Sequence, residues 1–279
     1  MLGIDHFLAI GWSGGGPHAL ACGALIPDRC KGVSSLAGVG PYGEPDLDFL
    51  EGMGPENVEE FGIALQGEGP LRVWMDEHAD AYRTISDDEL ASALGGLVPE
   101  VDVVALNEQG LASVWASSMR RCFTNGWDGW IDDNLAFCSG WGFETSQITT
   151  PVTIWQGDLD LMVPFAHGEW LLKHIPTAKP RLEKGHGHLS LVADRRQAII
   201  DDLISNGLGE EEFSTVQQYL SGQIALWGKD GGRRLGWEVE SQLMGWENPL
   251  IDLPSKIAQL SLEEVNSAIA KHLNPDQLK

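Results

Sequence analysis

The sequence is short of basic residues: 18 lysines and arginines stand against 41 aspartates and glutamates, a formal charge of −23. A field of that sign repels phosphate backbones and anionic lipid, so nucleic acid and membrane surfaces are not expected partners. Long apolar runs are missing as well, and nothing reaches the eighteen or so consecutive apolar residues that a membrane span needs. The segment Met1 to Ala9 has acidic Asp5 and lacks the basic start of a signal peptide, which points to the cytoplasm. Cysteine is sparse and scattered. Cys22, Cys30, Cys122 and Cys138 form no C-x-x-C pair, so neither a disulfide framework nor a cysteine zinc site is suggested.

What is present is enough apolar content, 43% of 279 residues, to bury a sizeable core. The acidic excess is concentrated. Between Glu44 and Asp102 there are 16 acidic residues and two basic ones, Arg72 and Arg83, a net of −14. A solvated surface is the plainer explanation, and a field steering neutral or cationic substrates is the sharper one.

The apolar run Phe7 to Ile10 ends at Gly11, and a small-residue helical stretch, Gly14 to Leu25, follows it and stops before Pro27. "GVSSLAG", Gly32 to Gly38, reads as the next buried strand. Residues 44–147 then change style to acidic segments of helical period, such as Asn57 to Leu65, Asp87 to Leu94 and Leu106 to Cys122, with tryptophans at 127, 130 and 141. This stretch reads as a helical insertion whose tryptophans face inward. Alternation of strand and helix resumes with "PVTIWQG" at Pro151 to Gly157, a helix over Phe165 to His174, a strand at Pro180 to Leu182 and a helix over Asp194 to Ile204. Ser205 to Glu212 reads as a linker, and helical periods follow at Phe213 to Leu226 and Leu262 to Leu273. The expected organisation is a core of residues 1–43 and 148–206, a cap of residues 44–147 and a helical segment of residues 207–279.

Three short motifs carry chemistry. Gly11-Trp12-Ser13-Gly14-Gly15 satisfies G-x-S-x-G, in which a strained strand-to-helix turn exposes the serine hydroxyl at a helix N-terminus. "QGDLDLMVP" offers Asp160 in a loop after a strand, with Asp158 as its neighbour and competitor. "KGHGHLSL" offers His188, with His186 as the competitor. The D-x-D and H-x-H pairs also admit a metal reading, but carboxylate and imidazole pairs on loops do not define a metal site. His18, about one helical turn beyond Ser13, reads as helix packing or a polar cleft wall.

Serine, aspartate and histidine in that chain order, each after a strand, resemble the α/β-hydrolase family of capped serine hydrolases over Leu2 to about Asn206. The resemblance implies a parallel α/β sheet corresponding to the family's strands five to eight, with a helical cap. It further implies Ser13 as nucleophile, His188 as general base, Asp160 as its orienting acid and the Gly14 N–H as one oxyanion donor. The implied reaction is hydrolysis of a carboxylic ester or similar acyl compound through an acyl-enzyme, with no cofactor and no metal. The family pattern also has four earlier strands and an early loop that gives the second oxyanion donor, and these have no counterpart before Phe7. On that comparison the first strand becomes an open edge suited to self-association. A non-catalytic remnant or a gene-fusion product with an incomplete oxyanion hole is the rival expectation. The segment Glu211 to Leu278 is similar to the end of an insulinase-like zinc peptidase domain, most tellingly over Ser261 to Leu278, where Ser261 stands three residues before Glu264. The H-x-x-E-H helix of those peptidases is not in the sequence, so the similarity carries no catalysis.

Overall fold

The structure is a computed structural model that describes residues 5–108, 110–204, 214, 217, 231–244, 249–265 and 267. The chain divides into two compact units, Met1–Arg195 and Arg196–Lys279.

The first unit is α/β, built on one four-stranded sheet whose strands are β1 (Phe7–Trp12), β2 (Cys30–Leu36), β3 (Val152–Gly157) and β4 (Ala178–Glu183). They lie side by side in chain order and all pairs are parallel. The expected strands are all present, each within a few residues of its forecast bounds. The inner strands β2 and β3 are buried over most of their length, and so read as nearly unbroken apolar or small-residue runs. The outer strand β1 instead alternates between more and less covered positions, and β4 has no buried residue. The two edges differ in chemistry. β4 carries Lys179, Pro180 and Arg181, charge and proline that discourage further strand pairing, whereas β1 presents Leu8 and Ile10, each 51% exposed.

Helix α1 (Gly15–Leu25) follows β1, and α8 (Phe165–His174) joins β3 to β4. Ala19 and Leu20 of α1 and Trp170 and Leu171 of α8 meet Val33 of β2 and Val152 and Ile154 of β3 in one apolar cluster. Between β2 and β3 lies the inserted segment, and its regular structure is entirely helical among the described residues. Its longer helices are α2 (Pro55–Ala64), α3 (Glu68–Tyr82), α4 (Asp87–Ala93), α5 (Glu100–Glu108), α6 (Leu111–Cys122) and α7 (Asp128–Phe137). The single helix forecast over Leu106 to Cys122 is two helices, because Gly110 adopts φ +70° and breaks the run. Ser86 opens α4 with a reciprocal cap to Glu89.

The tryptophans of this segment are half-buried rather than fully inward. For three of them the ring packs on an apolar cluster while the indole N–H reaches a carboxylate: Trp74 donates to Glu59 (2.9 Å), Trp127 to Asp76 (3.0 Å) and Trp130 to Glu60, whereas the buried Trp141 N–H has no partner among the described residues. A large ring with one polar atom settles at such a boundary, and part of the acidic excess supplies its acceptors.

His167 on α8 is fully buried. Its Nδ1 accepts from the Gly40 N–H at 2.9 Å and its Nε2 donates to the Phe49 carbonyl at 3.0 Å, so both nitrogens are satisfied by the neutral ring. Burial pushes its pKa from 6.5 down to about 4. Between those two values the unfolded chain takes up a proton that the folded chain refuses. Stability present above pH 6.5 is therefore lost as the pH falls toward 4, by up to about 3 kcal/mol from this group. Denaturant unfolding of the wild type and of His167→Gln at pH 7 and pH 4.5 checks this: the wild type's advantage should shrink at the lower pH. An advantage that is independent of pH would contradict it.

In the second unit the described helices are Gly231–Met244 and Pro249–Gln259. Both fall in the segment 207–279 expected to be helical, though outside the two helical periods named within it. Ser261 and Glu264 form the reciprocal cap that their spacing suggested, with Glu264 accepting from the Ser261 N–H at 2.8 Å and the Glu264 N–H donating to Ser261 Oγ at 3.2 Å. The linker Ser205 to Glu212, and most of the helices expected over Phe213 to Leu226 and Leu262 to Leu273, lie outside the described residues. Among the described residues no helix is long and apolar enough to cross a membrane.

Candidate active site

Ser13 stands between β1 and α1 with φ +56°, a left-handed conformation that non-glycine residues adopt only where their surroundings enforce it. Two hydrogen bonds fix it there: the Ser13 N–H donates to the Leu36 carbonyl at the end of β2, and the Gly16 N–H donates to the Ser13 carbonyl, each at 2.9 Å. The turn doubles back so tightly that a Cβ on Gly11 would lie 1.8 Å from the Gly15 carbonyl oxygen. A Cβ on Gly16 would lie 2.7 Å from both Gly38 Cα and Ser35 Oγ. Gly15 itself has open space around it. The turn thus needs Gly11 and Gly16, whereas Gly15, the last glycine of the motif, is sterically free.

Asp160 lies three residues beyond β3, and His188 opens helix α9 (His188–Ile204), a few residues beyond β4. Helix α9 begins six residues earlier than forecast, so His188 is its first residue rather than part of a preceding loop. His188 Nδ1 and Asp160 Oδ2 are 2.8 Å apart, and both side chains are almost wholly buried. Asp160 Oδ1 accepts from the Met162 and Val163 N–H groups at 2.9 and 2.8 Å, and Oδ2 also accepts from Gln156 Nε2 at 3.2 Å. With an acceptor facing Nδ1, a neutral His188 carries its proton there and leaves Nε2 as the free lone pair.

The competitors are engaged elsewhere. Asp158 Oδ1 accepts from the Gly185 N–H at 2.7 Å. His186 lies 3.0 Å through Nδ1 from the Lys184 carbonyl and 3.6 Å through Nε2 from Asp194. Among the described residues no three metal-ligating side chains gather into a cluster.

Trp12 brings the serine turn and the histidine together: its ring stacks on that of His188 with centroids 5.4 Å apart and planes 26° apart. The Ser13 hydroxyl makes no hydrogen bond among the described residues, to His188 or to any other group. The Gly14 N–H likewise has no acceptor among the described residues, at the open N-terminal end of α1.

The helical insertion covers this turn with two aromatic rings. Phe137 at the end of α7 lies against Gly14, where an added Cβ would come within 2.7 Å of its ring, and Trp115 of α6 lies 6.0 Å from Trp12. His18 of α1 pairs with Asp133 of α7 at 3.0 Å on the surface and joins the two helices, its ring 6.0 Å from that of Phe137. Trp12 and Phe137 were not foreseen as site residues. The first was visible inside the motif as its variable position, whereas the second had no signal in the sequence.

No family model and no curated protein matches this chain. Solved structures do. The chain is similar to a meta-cleavage product hydrolase, with 18% identity, 74% of this chain and 67% of that one covered, and a TM-score of 0.47. It is similar to a hydrolase from Oleispira antarctica, with 17% identity, 74% and 67% coverage and a TM-score of 0.48. It is also similar to an alpha/beta hydrolase fold protein from Nakamurella multipartita, with 23% identity, 71% and 69% coverage and a TM-score of 0.43. At these identities and TM-scores the likeness carries nothing about what this chain does.

Proposed function

We propose that the chain is a serine hydrolase that cleaves carboxylic esters or related acyl compounds through an acyl-enzyme. The observation that carries this reading is the buried Asp160–His188 pair, whose imidazole stacks on the ring of Trp12, the chain neighbour of a serine held at φ +56°. In this scheme His188 Nε2 accepts the Ser13 proton as Oγ attacks the acyl carbon, and then returns it to the leaving alkoxide. Asp160 holds the ring in the Nδ1–H form and stabilises the imidazolium. The Gly14 N–H, at the positive end of α1, faces the developing oxyanion. Water deacylates the enzyme by the same route in reverse, and no metal or cofactor enters the scheme.

The rings of Trp12, Trp115 and Phe137 give the site an apolar roof, which suits an acyl or alkyl group better than a charged one. A fluorophosphonate probe tests the reading, because it phosphonylates only an activated, reachable serine. The wild type should take up one equivalent and Ser13→Ala none. Labelling that survives in Ser13→Ala, or a folded wild type that resists the probe, would overturn the proposal.

A further inference from the structure

Asp102, on helix α5 of the insertion, is a fully buried carboxylate for which the reaction scheme has no use. Its Oδ1 accepts from the Ser190 N–H at 2.8 Å and from the Ser190 hydroxyl at 2.6 Å, and that hydroxyl accepts in turn from the Gly187 N–H at 2.8 Å. Residues on both sides of His188 are thus tied to one carboxylate that belongs to a different part of the chain. A Cβ at Gly187 would lie 2.5 Å from both carboxylate oxygens, so glycine is the residue that lets Asp102 approach this closely. Oδ2 has no hydrogen-bond partner, and among the described residues no cation pairs with the group.

Burying a carboxylate with one oxygen unsatisfied is costly, and a neutral acceptor could satisfy Ser190 at a smaller cost. What sets this carboxylate apart is where its accepting oxygen lies: Oδ1 faces the first turn of α9, where His188 is the opening residue. We propose that Asp102 is a positioning residue that fixes the backbone on either side of His188, and so holds the imidazole at the angle that meets Asp160. This rests on the hydrolase reading only for its effect on turnover. The hydrogen bond from His188 to Asp160 can be read without it.

The test follows the His188 Nδ1–H proton by NMR in protein labelled with ¹⁵N-histidine, assigned by its loss in His188→Gln, alongside ester hydrolysis. In Asp102→Ala the resonance should broaden or shift upfield. Turnover should fall about 10- to 100-fold, the worth of a hydrogen bond to a charged group, with KM within about twofold. Asp102→Asn, which keeps an oxygen for both Ser190 donors, should restore most of each. If Asp102→Ala does not fold, Ser190→Ala is read the same way, since it removes the hydroxyl that links Gly187 to Asp102 and keeps the backbone bond. A folded variant with an unchanged resonance and unchanged turnover overturns the proposal. So does an Asp102→Asn variant no better than Asp102→Ala. If the wild type hydrolyses no ester, the hydrolase reading falls and the resonance alone decides the role of Asp102.

Discussion

Exchanging Asp160 for asparagine should lower turnover by about 10⁴-fold while leaving the fold standing. The reason lies in how the carboxylate is held. Oδ1 faces two backbone N–H groups, from Met162 and Val163, and an asparagine will turn its oxygen toward them. Its NH₂ group then faces His188 Nδ1, which must become an acceptor, and the proton moves to Nε2. That tautomer cannot take a proton from Ser13. Gln156 Nε2, which now donates to Oδ2, will meet a second donor and has to turn away. The check is kcat of Asp160→Asn on an ester that the wild type cleaves, beside its melting temperature. A loss of less than tenfold in a folded variant would mean that the buried pair does not orient the base.

The second large effect concerns stability and separates two glycines of one motif. Gly11→Ala should cost about 4 kcal/mol or more, because its Cβ would overlap the Gly15 carbonyl at 1.8 Å and only backbone movement can relieve the contact. Gly15→Ala adds its methyl to open space at the first residue of a helix. It should stay within about 1 kcal/mol of the wild type, on the stabilising side. Denaturant midpoints for the two variants decide the matter. Equal losses would mean that the strand-to-helix turn is not as tight as described.

Much of this was legible in the sequence because it depends on local spacing. The four strands, the turn at Ser13 and the stations of Asp160 and His188 are each set by a few consecutive residues. The choice of Asp160 over Asp158 was legible only through family spacing. In the fold Asp160 lies 2.8 Å from His188 Nδ1, while Asp158 accepts from the Gly185 N–H. What could not be read were contacts between distant segments. Asp102 looks like any other residue of an acidic stretch, and only the packing of α5 against the start of α9 reveals where its charge points. Phe137 is one apolar residue at a helix end until α7 lies across Gly14. The break in the long helix was marked by Gly110, but a lone glycine in a helical pattern is tolerated as often as it stops one.

The site's two halves are each made from nearby chain. Ser13, its turn and the β1–β2 pairing come from the first few dozen residues, while Asp160 and His188 lie 28 residues apart. About 120 residues, most of them in the helical insertion, must be synthesised between the halves. At about 5–20 residues per second, the serine turn therefore leaves the ribosome on the order of ten seconds before the histidine that would activate it. Throughout that interval Ser13 is an ordinary alcohol, with no base to raise its nucleophilicity. Hydrolytic capacity, on the proposed reading, then waits until β4 and the start of α9 are made and the His188 ring rests on Trp12.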